Sequence, residues 1–170
     1  RRSRGLGDVY KRQELIISDE KVCVPSISLR QKDRNTDEVY IGYSSPKTPS
    51  RVYLYDLSKK NKKLVKEQII PSGHNPNDYV VERIEFESHD GRLVPLTITR
   101  HKKTRLDGSA NLLLYGYGSY GNSISPDFSS TRLSLIDRDI IWATAHIRGG
   151  MEKGMKLSLI HISEPTRPSV

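Results

Sequence analysis

Hydrophobic and polar residues alternate through the first half of the chain in short runs separated by turn formers. Tyr, Val and Leu alternate with polar residues in three such runs, at residues 39–43, 52–55 and 64–70. Alternation with period two is typical of half-buried strands. The pattern from residue 14 onward therefore predicts an antiparallel meander, as in one blade of a β-propeller. The lysine-rich run at residues 59–63 fits a solvated hairpin tip better than an anion-binding patch.

The pattern changes after residues 71–77, PSGHNPN, whose turn formers indicate a linker. Two further strands are predicted at residues 80–87 and 93–100, joined by a two-residue turn at Asp90-Gly91. Pro95 lies within the second strand, which predicts that this strand is at an edge of its sheet.

Two largely apolar runs follow a charged loop. They span residues 111–114 and 140–145 and predict strands in the buried interior of a mainly parallel sheet. Residues 131–136 fit either a short helix or a strand, and periodicity does not decide between them.

Composition is that of a soluble globular protein, with 35% hydrophobic and 28% charged residues among 170. No apolar run approaches the roughly 18 residues that a membrane span requires. The formal net charge of +8 would by itself suggest a nucleic-acid partner. The lone Cys23 suits a reducing compartment, so we expect a cytoplasmic protein.

The two ends of the chain change the interpretation of this charge. Residues 8–13, DVYKRQ, can be encoded by DNA whose reverse complement encodes residues 157–162, LSLIHI. Such a pair resembles a transposon end used in sequencing libraries, and the SEPTRPS that follows resembles its adapter. We therefore expect residues 1–13 and 157–170 to be adapter-like artefacts. They carry a net +4 of the total, and the +4 that remains does not argue for nucleic acid.

Ser119 lies among glycines in YGYGSYG but does not fit a nucleophile. A nucleophile elbow has Gly two residues before and two after the serine and leads into a helix. Tyr117 occupies the first of these positions, and the sequence after Gly121 is typical of a loop. The same glycines lack the spacing and the helix of a dinucleotide-binding fingerprint.

The run AHIRGG follows the second apolar strand and contains two candidate polar groups. His146 has no partner carboxylate in view, so a hydrogen-bonded structural histidine is favoured over a catalytic one. Arg148 fits two roles, a clamp for a substrate carboxylate or a buried ion pair that holds the loop. The other histidines outside the adapter-like ends show no ligand spacing, and we predict no metal and no cofactor; they are His74, His89 and His101.

Longer stretches carry a specific resemblance. LLLYGYGSYG and FSSTRLSLIDRDIIWATAHIRGGMEKG resemble the opening of the catalytic domain in the prolyl oligopeptidase family, peptidase family S9. IPSGHNPNDYVVERI and LDGSANLLLYGYG are similar to its oligopeptidase B branch. The resemblance covers residues 39–154 and ends at Met155. It implies a mixed fold, with the last strands of a β-propeller at residues 14–74 and the truncated start of an α/β-hydrolase domain at residues 75–156.

The resemblance also implies roles for two tyrosines. Family members are serine peptidases in which the propeller restricts access to short peptides. The second tyrosine of the motif, matched by Tyr117, donates its hydroxyl to the oxyanion of the tetrahedral intermediate. Such a donor contributes roughly 2.7–4 kcal/mol to transition-state stabilisation. Tyr120 matches an aromatic residue that lines the substrate pocket.

The nucleophilic serine, the aspartate and the histidine of the triad belong to family sequence beyond Gly154. We therefore expect an inactive, poorly stable fragment of a serine oligopeptidase that cleaves short peptides after Arg or Lys through an acyl-enzyme. The intact enzyme is expected to be a monomer or dimer that binds neither nucleic acid nor membranes. The alternatives are a prolyl-specific or catalytically inactive relative, or a small β-rich peptide-binding module that is complete in itself.

Overall fold

A computed structural model describes residues 20–29 and 37–151, and these residues form two four-stranded sheets. The first sheet is antiparallel throughout, with its strands in chain order. It contains the three predicted strands of the meander and one more at its start. Its strands are β1 (Val24–Leu29), β2 (Glu38–Ser44), β3 (Arg51–Asp56) and β4 (Asn61–Glu67).

The predicted bounds of β4, residues 64–70, were wrong by three residues. The Asp56 carboxylate accepts hydrogen bonds from the N–H groups of Ser58 and Lys59 at 3.0 and 2.8 Å. Lys60 then takes a positive φ of 52°, which ends the turn and lets the strand start at once. β4 is exposed along its whole length, as expected of a solvated lysine-rich hairpin.

The second sheet is mixed and has the strand order β5-β6-β8-β7. β7 and β8 are parallel, whereas the β5–β6 and β6–β8 pairs are antiparallel. The prediction of a mainly parallel sheet is therefore wrong for the described strands. They are β5 (Tyr79–Glu87), β6 (Leu93–His101), β7 (Asn111–Gly116) and β8 (Ile140–Ala145).

The segment between β7 and β8 contains the helix α1, Ser130–Ile136, so the ambiguous apolar run is helical. The Ser129 side chain caps it by accepting a 3.3 Å hydrogen bond from the N–H of Arg132. Leu133 and Ile136 are buried against Tyr79. The helix thereby covers one face of the sheet.

β7 departs from its predicted burial. It lies at the edge of the described sheet, and Leu112 and Leu114 on the face away from α1 are 54% and 63% exposed. A continuous apolar run shows that both faces of a strand are suited to burial. It does not show which part of a protein covers them.

The β5–β6 hairpin differs from prediction in two ways. Its turn has three residues, because Ser88 N–H bonds to the Arg92 carbonyl and Gly91, at φ 76°, bonds to the Ser88 carbonyl. Pro95 also lies in an interior strand rather than at an edge. The Pro95 carbonyl faces β8 and accepts a 2.9 Å hydrogen bond from the His146 N–H. The position at which Pro95 lacks an N–H is on the same side, just beyond the end of β8, so no hydrogen bond between the two strands is lost.

The predicted linker joins the sheets through a 3-10 turn at Pro76–Asp78. Nearby, Nε2 of His74 lies 2.6 Å from the Lys47 carbonyl, and Phe128 N–H donates to Ser44 Oγ at 3.0 Å. A domain boundary at residue 74 stays a prediction. The ends interpreted as adapter-like lie outside the described residues. No helix in the described ranges is long and apolar enough to cross a membrane.

Candidate active site

The tyrosine-glycine loop leaves the sheet at the end of β7, beside the end of β8. Gly116 pairs with Ala145 in the parallel register, so both strands finish at the same edge. The antiparallel pairing of Leu96 with Ala145 brings the start of β6 to that edge as well. The carboxyl edge of parallel strands is where α/β folds bind their ligands, and here three loops meet there.

Tyr120 lies at the tip of this loop. It and Gly121 both have positive φ, at 57° and 68°, and Asn122 N–H bonds to the Ser119 carbonyl at 3.1 Å. These features are those of a type I′ turn, an uncommon conformation for a tyrosine. The turn leaves the Tyr120 side chain 95% exposed.

Tyr117 lies one residue beyond the strand and is 40% exposed. Within the described residues its hydroxyl group makes no hydrogen bond. The O–H is therefore available as a donor to a bound molecule. No structural partner in this part of the chain competes for it.

The loop after β8 supports the Tyr117 loop from behind. The two backbones approach so closely at Gly118 that a Cβ there would overlap the Arg148 carbonyl oxygen. A hydrogen bond of 2.9 Å from Gly121 N–H to the Gly149 carbonyl joins the loops a second time. Gly118 is therefore required for this contact, because any other residue would separate the loops.

Arg148 holds the supporting loop through an ion pair. Its side chain is 19% exposed, and a terminal nitrogen pairs with Asp90 in the β5–β6 turn. Partial desolvation raises the pKa of Asp90, but hydrogen bonds from Arg148 and from the Arg92 backbone, with the Arg148 charge, lower it overall. Of the two roles left open, the described contact is the loop-holding ion pair. Sequence reasoning assigned Asp90 only to a turn, because nothing local pairs it with a residue so far along the chain.

His146 is a structural residue, as favoured from the sequence. It is 1% exposed, and its Nε2 lies 2.8 Å from the Thr97 hydroxyl in β6. Ser119 is exposed, and no helix begins between it and Ser130, so the elbow geometry does not form. Among the described residues, no three His, Cys, Asp or Glu side chains are grouped to hold a metal.

A cavity of about 460 Å³ lies between α1 and the β7–β8 pair. Tyr115 and Trp142 line it, with ring centroids 6.1 Å apart. Neither Tyr117 nor Tyr120 lines it. The cavity is therefore separate from the loop to which the resemblance assigns chemistry.

Together these elements define the class of fold. The first sheet is the end of a β-propeller, and the second is the beginning of an α/β-hydrolase domain with its tyrosine loop at the carboxyl edge. No protein-family model matches the sequence. Comparison with individual proteins shows which family the chain belongs to.

Over 123 residues the chain is 39% identical to dipeptidyl aminopeptidase BI of Pseudoxanthomonas mexicana, covering 72% of this chain and 17% of the relative. Oligopeptidase B from Trypanosoma brucei, solved with covalently bound antipain, is 33% identical with a TM-score of 0.76 over 85% of this chain and 21% of that one. Prolyl oligopeptidase B from Galerina marginata, solved with a 35mer hydrolysis and macrocyclization substrate, is 30% identical with a TM-score of 0.70, covering 79% and 19%.

The chain belongs to the prolyl oligopeptidase family, peptidase family S9. It spans about a fifth of the length of the relatives that it matches.

Proposed function

We propose that the intact protein is a serine oligopeptidase of the oligopeptidase B type, which hydrolyses short peptides after Arg or Lys through an acyl-enzyme. The observation that carries the proposal is the Tyr117 hydroxyl, unpartnered among the described residues, on a loop braced at the carboxyl edge of the sheet. Peptide as the substrate class is further supported by the relative solved with a 35mer substrate.

Tyr117 acts by donating a hydrogen bond to the oxyanion that forms when the scissile carbonyl becomes tetrahedral. A donor stabilises the transition state most when it is already aimed at the developing charge and need not reorganise. The contacts of Gly118 and Gly121 with the neighbouring loop supply this preorganisation. The second donor of the oxyanion hole would be the backbone N–H that follows the nucleophile.

Tyr120 contributes an aromatic wall for the substrate. Its ring projects from a constrained turn and is almost fully exposed in the described structure. A large apolar surface held in one conformation binds a substrate side chain at a low cost in conformational entropy. We assign it to the pocket for the residue beside the scissile bond.

The nucleophile lies outside this chain, whose 170 residues contain no Gly-x-Ser-x-Gly sequence. The chain alone is therefore inactive, because acyl transfer requires a nucleophile and its base within hydrogen-bond reach. The preference for Arg or Lys rests on the resemblance of residues 70–84 to the oligopeptidase B branch. A prolyl-specific relative is the second candidate, since the family includes prolyl oligopeptidases of similar identity.

Sequencing of the source locus across the codons for Gly154 to Leu157 tests whether the gene encodes the catalytic triad. The expected reading frame continues past Gly154 into a Gly-x-Ser-x-Gly turn, followed by the aspartate and the histidine. If genomic DNA instead encodes residues 157–170 and stops, both the peptidase proposal and the assignment of the ends to adapters fail. A peptide-binding module would then be the better hypothesis, and this chain should melt cooperatively by itself.

Tyr117→Phe in the full-length peptidase tests the role of the hydroxyl. Removal of one oxyanion donor is expected to lower kcat by about 10²–10³-fold with little change in KM, because the bond forms only in the transition state. The assay uses chromogenic short peptides with Arg, Lys or Pro before the scissile bond. The relative rates on these peptides also decide between Arg or Lys specificity and prolyl specificity.

Tyr115→Phe is the matched control, since it removes a phenol on the preceding strand while keeping the ring that faces Trp142. Equal activity of the Tyr117→Phe enzyme and this control would rule out Tyr117 as the donor.

A further inference from the structure

We infer that Asp90, through its ion pair with Arg148, is a positioning residue for the oxyanion donor Tyr117. This inference rests on the proposed function of Tyr117. It assigns a catalytic consequence to a carboxylate on a different element, the turn between β5 and β6.

The turn that carries Asp90 is a firm support. Two backbone hydrogen bonds of 2.8 Å close it, from Ser88 N–H to the Arg92 carbonyl and from Gly91 N–H to the Ser88 carbonyl. The Asp90 carboxylate is also held between two cations, with Arg148 at Oδ1 and the Arg92 guanidinium 3.7 Å from Oδ2. Its oxygen atoms are therefore placed before any substrate binds.

Arg148 transmits this placement to the loop after β8. Its guanidinium is largely buried against Asp90, while its own carbonyl oxygen contacts the backbone of Gly118. The next residue, Gly149, is left-handed at φ 87° and accepts the Gly121 hydrogen bond. The Tyr117 loop is thus held at Gly118 by Arg148 and at Gly121 by Gly149. The positions of Arg148 and Gly149 depend on the ion pair.

The contacts of His146 hold the end of the strand rather than the loop that follows it. The His146 backbone and ring are bonded to Pro95 and Thr97, which fixes the end of β8 whether or not the ion pair forms. Loss of Asp90 should therefore leave the sheet intact and release only the segment behind Gly118. A displacement of about 1 Å in a catalytic group can cost up to about 10²-fold in rate.

The test uses the full-length peptidase with the residue numbers of this chain. Asp90→Asn keeps the shape and removes the charge, Asp90→Glu keeps the charge, and Glu87→Gln removes an exposed carboxylate from the same hairpin. We expect Asp90→Asn to lower kcat by about tenfold or more with KM within about twofold. Asp90→Glu should recover most of the loss, and Glu87→Gln should match the wild type.

The same Asp90 substitution in a Tyr117→Phe enzyme distinguishes failure of this inference from failure of the proposed function. In Tyr117→Phe enzyme, Asp90→Asn should cause no further loss, because the donor that it positions is gone. If Tyr117→Phe alone leaves kcat unchanged, the proposed function fails. If Tyr117→Phe lowers kcat but Asp90→Asn does not, or if Asp90→Asn is equally harmful in both backgrounds, the positioning role fails while the function of Tyr117 stands.

Amide hydrogen exchange on the full-length peptidase gives a readout independent of catalysis. The Gly121 amide, bonded to Gly149, should exchange faster in Asp90→Asn and at the wild-type rate in Glu87→Gln. Unchanged protection of Gly121 in the Asp90 variant would overturn the inference.

Discussion

Tyr79 connects the start of β5 to the end of α1 through two kinds of contact. Its ring stacks on His74 with centroids 5.0 Å apart, and its hydroxyl donates a 2.6 Å hydrogen bond to the Asp137 carboxylate. Burial raises the pKa of Tyr79, and the bond to Asp137 raises it further, because both favour the neutral phenol. One side chain thereby joins the linker, the sheet and the helix.

We predict that Tyr79→Phe lowers the free energy of unfolding by about 1–2 kcal/mol, because it removes a hydrogen bond to a charged group while Phe keeps the packing of the ring. Urea denaturation at pH 7 measures it. Tyr40→Phe, in the other sheet, is the control. A loss no larger than that of the control would contradict the prediction.

The same residue predicts a pH dependence with a defined sign. The folded pKa of Tyr79 is raised above the unfolded value of about 10, so its stabilising effect is complete below pH 10 and is lost as pH rises further. As pH rises from about 10 to about 11, the wild type should lose more stability than Tyr79→Phe. Parallel stability curves for the two proteins would show that the Asp137 bond does not favour the protonated phenol.

At the scale of the element, β7 is the strand whose surroundings differ most from its composition. Leu112 and Leu114 share the face opposite α1, and both are more than half exposed in the described structure. An exposed apolar edge strand is a site of intermolecular pairing, and charged side chains suppress it. By contrast β4, the edge of the other sheet, already carries lysines.

We therefore predict that Leu112→Lys with Leu114→Lys reduces self-association of this chain and its binding of a hydrophobic dye. Sedimentation velocity over a concentration series measures the association. Leu64→Lys on β4, at a leucine with similar exposure, is the control and should change little. The apolar face of β7 would not be the cause if both variants associate like the wild type.

At the scale of the whole molecule, the chain joins two sheets of different kinds. An antiparallel sheet precedes the linker, and a mixed sheet with one helix on it follows. The chain spans about a fifth of the length of the relatives that it matches. Contacts such as His74 with Lys47 hold the two sheets against each other near the linker.

The sequence by itself determined the positions of most strands and the family. Alternation and apolar runs are properties of near neighbours, so β3, β5 and β8 were located to within one residue at each end. The tyrosine-glycine and HIRGG stretches carried the family, because long runs of specific residues seldom recur by chance. The loop after Tyr117 was also evident, since its glycines, serines and proline do not support a helix.

Only the tertiary structure decided what each element lies against. Pro95 is compatible with an interior strand because β8 ends beside it, and the apolar run of β7 lies at an edge. Arg148 became a loop anchor only when the β5–β6 turn brought Asp90 to it. These outcomes depend on pairs of residues tens of positions apart, whose proximity results from the pairing of strands and leaves no trace in the local pattern of either residue.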